Sequence, residues 1–157
     1  MTVDHVDHHR GSADKYSWIP PFDWSMAYEN ERWWDEVRHY VDDPWFVQVV
    51  GDGVEVARVE LDDPGDINPD YTGVPTIGPE RLEIQFIEVA TAARGRKIGT
   101  QVVQMLAERH RARRLFAYSQ DADRFWARLG WERFDHPEGD WRALFIQPAR
   151  VVLASQS

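Results

Sequence analysis

The 157-residue chain is expected to fold as one mixed α/β domain with short helices. Three observations lead there. Two strand-like runs, Trp45–Val50 and Val54–Leu61, flank Gly51–Asp52–Gly53, a hairpin signal. Downstream, strand-like and helix-period segments alternate. No internal repeat or low-complexity block breaks the pattern.

Residues 1–15 lack hydrophobic periodicity and are expected to be a flexible tail, leaving 16–157 as the domain. His5, His8 and His9 in that tail are read as solvated, because no rigid element fixes a metal geometry. Tyr16 to Trp24 is a Pro-aromatic segment too apolar for solvent, and it should pack across the domain in extended form. A helix is expected over Ser25–Val41, where Trp33, Trp34, Val37, Tyr40 and Val41 form one apolar stripe. Asp63–Arg81 has no periodicity and reads as a long loop, a kind of segment that is often functional. Then follow Leu82–Val89 (strand), Ile98–Arg111 (helix), Leu115–Tyr118 (strand), Asp121–Leu129 (helix), Trp131–Phe134 (strand) and Trp141–Gln147 (strand).

Composition narrows the function. Cysteine is absent, which excludes disulfides, thiolate metal sites and Cys nucleophiles and is compatible with a reducing, cytoplasmic address. No run of 18 apolar residues reads as a membrane span, and the polar N-terminus is not an ordinary secretory signal. The net charge of −9 divides into −13 for residues 1–80 and +4 for residues 81–157. Such a balance disfavours nucleic acid as a partner. It suggests different ligand preferences in the two halves. No Gly-x-Ser-x-Gly elbow surrounds any serine, and no His-x-x-x-His pair falls on a helix, so neither a hydrolase triad nor a metal site is expected.

The most informative stretch is Leu82 to His110. It reads as a strand, a short basic turn and an amphipathic helix with Ile98, Val102, Val103, Leu106 and His110 on its inner face. The turn Arg94–Gly95–Arg96–Lys97–Ile98–Gly99 offers backbone N–H groups and three cationic side chains at a helix N-terminus, which suits an anion such as a pyrophosphate. This stretch resembles the acetyl-CoA-binding motif of the GNAT acetyltransferase superfamily, Arg/Gln-x-x-Gly-x-Gly/Ala. Arg94 and Gly99 match, and Lys97 stands where a middle glycine is usual. Ser119 to Trp131 resembles the superfamily's later motif, Asn-x-x-Ala-x-x-Phe-Tyr-x-x-x-Gly-Phe, through Ala122, Phe125 and Gly130. Trp131 replaces the last Phe, Ser119 the Asn, and Trp126 the Tyr. The resemblance covers roughly residues 45–147.

The resemblance implies a mostly antiparallel, twisted sheet flanked by helices and splayed into a V between Leu82–Val89 and Leu115–Tyr118. It implies acetyl-CoA as cofactor, held by Ile87, Glu88, Val89, Arg94, Gly95, Arg96, Lys97, Ile98, Gly99, Thr100, Phe125 and Trp126. An ammonium acceptor must lose a proton before it can attack. Glu83 is the candidate base, with Gln85 two residues on to hold an intervening water, and Glu88 is the second choice. Trp126 cannot titrate usefully as the acid for the departing thiolate, which leaves Tyr118 and Ser119. On the acceptor side stand the acidic residues Asp62, Asp63, Asp66 and Asp70, with Tyr71 and Tyr28. Trp18, Phe22 and Trp24 could wall that site. The expected partner is a small-molecule amine or a peptide amine, without nucleic acid or membrane, and a homodimer is allowed. The alternative, suggested by Lys97 and Trp126 at two motif positions, is a degenerate protein of this fold that binds acyl-CoA or a small ligand without turnover.

Overall fold

The computed structural model describes residues 2–150. One seven-stranded sheet runs in the order β1–β2–β3–β4–β5–β7–β6. The strands are β1 Val3–His9, β2 Trp45–Gly51, β3 Val54–Asp62, β4 Arg81–Val89, β5 Arg114–Tyr118, β6 Glu132–Phe134 and β7 Leu144–Ile146. Every neighbouring pair is antiparallel except β4 and β5. Among the described residues three α-helices accompany the sheet, α1 Glu31–Asp35, α2 Ile98–Arg109 and α3 Asp123–Arg128, with a short 3-10 helix at Thr91–Ala93. The expected α/β class and splayed, mostly antiparallel sheet are both present.

The periodicity of α2 settles its packing. Ile98, Val102, Val103 and Leu106 are buried as one stripe. His110 falls just past the helix as its C-cap, with its ring edge-on to Trp45. The other side of the sheet is covered by the Pro-aromatic segment and the residues around α1, as expected. Phe22, Tyr28 and Trp34 are in the core, with Trp34 wholly enclosed.

Two expectations fail. The segment read as a flexible tail contributes strand β1, which pairs along its whole length with β2. Its signal is weak in sequence because the strand is rich in polar residues, two of which are engaged in the fold: Asp7 accepts hydrogen bonds from Trp45 Nε1 and from Arg109, and His8 meets Gln48 at 2.9 Å. Of the domain expected over 16–157, residues 151–157 lie outside the described residues. The helix expected over Ser25–Val41 is reduced to Glu31–Asp35. Side chains take the bonds that a longer helix would make. The Arg38 guanidinium donates to the carbonyls of Trp33 and Glu36, and Glu36 itself is extended.

The sheet face beneath this segment carries three buried carboxylates, each fully partnered. Glu55 accepts from Arg58 Nε, Gln48, Tyr28 and the Asp23 N–H. Glu60 accepts from Arg38 and Trp33 Nε1. Glu88 accepts from Trp34 Nε1 and both nitrogens of Asn30. Removing one partner of such a pair strands a buried charge. Arg58→Met should therefore lower stability by about 3–5 kcal/mol. Adding Glu55→Gln to that variant should recover most of the loss, as read by urea denaturation.

Candidate active site

Strands β4 and β5 stay paired for three residues each, Arg81–Glu83 against Arg114–Phe116, and then part. A cavity of about 280 Å³ occupies the opening. Its walls are Ile84, Gln85, Phe86, Ile87 and Val89 from β4, Tyr118 from β5, Gly99 from α2, and Gln120, Ala122, Phe125 and Trp126 around α3. Both sequence motifs converge here, although they lie about twenty residues apart in the chain. The lining is largely apolar, as suits the arm of an extended ligand.

A bulge shapes the β4 wall. Glu60 pairs with Phe86 and Leu61 with Ile84, so Gln85 is the extra residue. Strict alternation from Glu83 therefore does not place Gln85, contrary to the expectation from spacing. Its amide nonetheless approaches Asp62 Oδ2 at 3.4 Å. Gln85 also borders a second cavity, of about 170 Å³, with Trp33, Glu36, Arg38, Tyr40, Glu60 and Asp62. One side chain thus stands at the junction of an apolar cavity and an acidic one.

The basic turn leads into α2 as expected. Gly95 has φ +81° and Lys97, the residue before the helix, has φ +57°. A left-handed backbone at position 97 explains why glycine suits it, and the exposed lysine there carries the strain of that conformation. Arg94 pairs with Glu29 at 2.7 Å and lies 3.9 Å from Glu88. Arg96 borders a further cavity, of about 180 Å³, with Met26 and Ala93. Thr100 lies in the first turn of α2, whose leading N–H groups have no helical acceptors.

Gly99 has a specific reason to be glycine. An added Cβ would sit 3.1 Å from the Phe125 ring and 3.7 Å from Val89. Ile87 and Val89 face the cavity, while the Glu88 side chain turns away to Asn30 and Trp34, which removes it as second-choice base.

Glu83 lies next to the cleft under the long loop. It is 6% exposed, and a Cβ on Gly65 would collide with it at 2.6 Å. Burial is the main force pushing its pKa up to about 8. Asp62, its cross-strand partner, pushes the same way, while Arg142 and a backbone hydrogen bond from Asp66 oppose it. Glu83 is not part of the lining of either cavity.

Several expected residues have other work. Ser119, 2% exposed, accepts the Ala122 N–H and starts the turn into α3, so it is withdrawn as an acid. The Tyr118 ring walls the cavity, but its hydroxyl accepts the Asn68 N–H at 2.8 Å and donates to the Asp66 carbonyl. Burial raises its pKa. Tyr28 is fixed on Glu55 beneath Arg58, and Tyr71 donates to the Arg142 carbonyl from a satellite core, so neither borders the two cavities at Gln85. Phe22 is likewise core, and Trp24 lies over Arg58. Asp66 borders a separate hollow with Arg81 and Thr76. Asp70 is exposed and lines none of the described cavities. Residues that sequence reasoning passed over are Gln120, Phe86, Glu36 and Tyr40. Gln120 sits inside the second motif and was open to notice, whereas the others depend on the bulge and on where α1 ends.

A sheet splayed between two parallel strands, with a glycine-bearing helix start on the opening, defines an acyl-CoA transferase type of fold. The chain belongs to the acetyltransferase (GNAT) family, whose model matches residues 12–131. No curated protein matches the chain significantly. Among solved structures, an acyl-CoA N-acyltransferase from Pseudomonas aeruginosa is 16% identical with a TM-score of 0.52, covering 94% of this chain and 100% of the other. An acetyltransferase from Thermus thermophilus is 14% identical with a TM-score of 0.52. That match covers 68% of this chain and 64%, a little under two thirds, of the Thermus protein. These likenesses show the fold.

The family's acetyl donor is acetyl-CoA, and the residues fit it. The unbonded N–H groups at the start of α2, with Arg96 and Lys97, suit the pyrophosphate, and the β4 edge at Ile87–Val89 suits an extended arm. The cradle beside Gly99 is one that a side chain would fill. Gly99→Val should accordingly weaken acetyl-CoA by at least tenfold, about 1.4 kcal/mol, in calorimetry with the fold intact by circular dichroism.

The raised pKa of Glu83 has a consequence for stability. In the unfolded chain the carboxyl ionises near its ordinary value of 4.5, and in the fold near 8. Stability from this group is therefore full below pH 4.5 and is lost as pH rises towards 8. Glu83→Gln should be more stable than the parent at pH 8 by at least about 1 kcal/mol, since one pKa unit is worth about 1.4 kcal/mol. The difference should vanish at pH 4, as read by thermal denaturation.

Proposed function

We propose that the protein is an N-acetyltransferase that moves the acetyl group of acetyl-CoA to a primary amine, most readily a small cationic one. The observation that carries this reading is the junction at Gln85. There the apolar cavity at the splayed strands meets a cavity bearing Asp62, Glu36 and Glu60. The first cavity suits the acyl arm and the second an ammonium. Bound acetyl-CoA supplies an activated thioester.

The chain's own residues have defined parts. Arg96, Lys97 and the first N–H groups of α2 hold the phosphates by charge-assisted bonds. Ile87, Val89, Phe125 and Trp126 exclude water from the arm. Glu83, with its proton affinity raised to about 8, is suited to receive a proton that comes from an ammonium. Tyr118 is placed to wall the donor cavity, and its hydroxyl holds the loop that seals Glu83. No helix among the described residues is long and apolar enough to cross a membrane, and we read the protein as cytoplasmic.

The test is thiol release from acetyl-CoA in the presence of alkylamines, with the no-amine rate subtracted. Glu83→Gln should lower turnover by about 10²–10⁴-fold while leaving acetyl-CoA affinity unchanged. In the parent, kcat/KM should rise with pH through about 8 as Glu83 ionises, and the variant should lack that limb. Cofactor binding without any amine-dependent thiol release would instead favour a binding protein of this fold, the reading that Lys97 and Trp126 leave open.

A further inference from the structure

Glu83 is buried under Gly65 and Asp66 and lines neither cavity, so a second group must meet the amine first. Asp62 is that group by position. It borders the acceptor cavity and pairs directly with Glu83 across β3 and β4, which puts both side chains on one face of the sheet with Cβ atoms about 4.5–5.5 Å apart. Among the described residues, its carboxylate has one hydrogen-bond partner, Gln85 Nε2 at 3.4 Å.

The other charges around this cavity are spent. Glu60 is held by Arg38 and Trp33. Arg38 uses all five N–H groups on Glu60, Glu36 and two carbonyls, so it cannot offer a site to an anion. Glu36 reaches Arg38 at 3.5 Å and is otherwise solvated. The Tyr40 and Trp33 rings complete the wall. What remains for a ligand is a carboxylate flanked by aromatic surface, the chemistry that selects an ammonium.

We propose that Asp62 binds the acceptor's ammonium group and takes its first proton, with Glu83 behind it as the carboxylate that stores that proton. This rests on the acetyl-transfer reading of the same site. An ammonium acceptor must shed two protons to become an amide. The first passes from nitrogen to Asp62 and on to Glu83, and from there to solvent. The freed lone pair forms the C–N bond as the C–S bond of the thioester breaks. The second proton goes from nitrogen to the departing thiolate, which leaves as the thiol. Atoms and charge then balance with one proton released per turnover.

The groups facing Glu83 are Asp62 from β3, Tyr118 from β5, Asp66 from the loop and Arg142 from the segment before β7. Removing the Asp62 charge takes away the nearest like charge. The acid limb of the pH profile should therefore move to lower pH in Asp62→Asn, and it is a large loss of kcat/KM alongside that shift that separates proton transfer from a purely electrostatic neighbour.

The experiment measures thiol release with 1,4-diaminobutane, spermidine and a lysine derivative blocked at both ends, on the parent, Asp62→Asn and Asp62→Ser. Calorimetry of acetyl-CoA on each protein reports folding and donor binding independently. The expected result is a fall in kcat/KM of at least about 100-fold in both variants, an acid limb shifted downward in Asp62→Asn, and unchanged acetyl-CoA affinity. If the parent transfers acetyl groups while both variants stay within threefold of it, Asp62 has no such role and the proposal falls, wherever the limb lies. If the parent shows no transfer to any of the amines, the acetyl-transfer reading itself fails, and this proposal with it.

Discussion

The parting of β4 and β5 after three paired residues is the constraint on which the rest of the site depends. Backbone groups beyond Glu83 on one strand and Phe116 on the other lose their sheet partners across the gap, and buried peptide groups need others. A ligand that lies along the opening like a strand meets that need. The gap also exposes apolar wall from four elements at once, because α2 and α3 pack where the sheet opens. Gly99 and Phe125 come from motifs distant in sequence, yet a Cβ on Gly99 would lie 3.1 Å from the Phe125 ring. Small-residue spacing in one motif and aromatic spacing in the other are thus two sides of a single packing requirement.

The same sheet carries four nearly buried glutamates, and their neighbours sort them. Glu55, Glu60 and Glu88 are each neutralised or saturated by arginine, indole or amide donors, so they serve to fix the N-terminal segment on the sheet. Glu83 differs. No arginine forms an ion pair with it among the described residues, its cross-strand neighbour is another carboxylate, and the loop at Gly65 presses on it. A buried carboxylate in that state costs stability when ionised. Retaining one beside a cleft is easier to rationalise by proton transfer than by architecture.

Much of this was legible in the sequence. The alternation of strands and helices, the hairpin at Gly51–Gly53 and the stripe on α2 depend on local periodicity, and they come out within a few residues. The donor wall was legible because two motifs report on contacts that the fold itself requires. The second cavity was not. Its members are brought together by the bulge at Gln85 and by Arg38, whose guanidinium captures two carbonyls and ends α1 early. A helical stripe through Trp33, Trp34, Val37 and Tyr40 looks the same whether or not a distant arginine interrupts it. Strand β1 was missed for a similar reason. Its polar residues read as tail in sequence, but His8 meets Gln48 and Asp7 meets Trp45 and Arg109 in the fold.

The division of charge along the chain takes a different meaning in three dimensions. Acidic residues of the first half that looked like one field are separated by depth. Glu55 and Glu60 are buried within local networks, and Asp63 is tied to Arg113. Glu29, Glu31 and Glu36 line an outer hollow that shares Trp33 and Glu36 with the second cavity. The basic turn meets this acidic rim directly, through Arg94 and Glu29. That ion pair is half-exposed and so contributes little to stability, on the order of 0–1 kcal/mol. Its carboxylate thus sits against the basic turn at the start of α2. The acidic and basic surfaces therefore lie side by side, with many of their charges neutralised inside the fold. Asp62 is left as the carboxylate in the inner cavity without a cationic partner among the described residues.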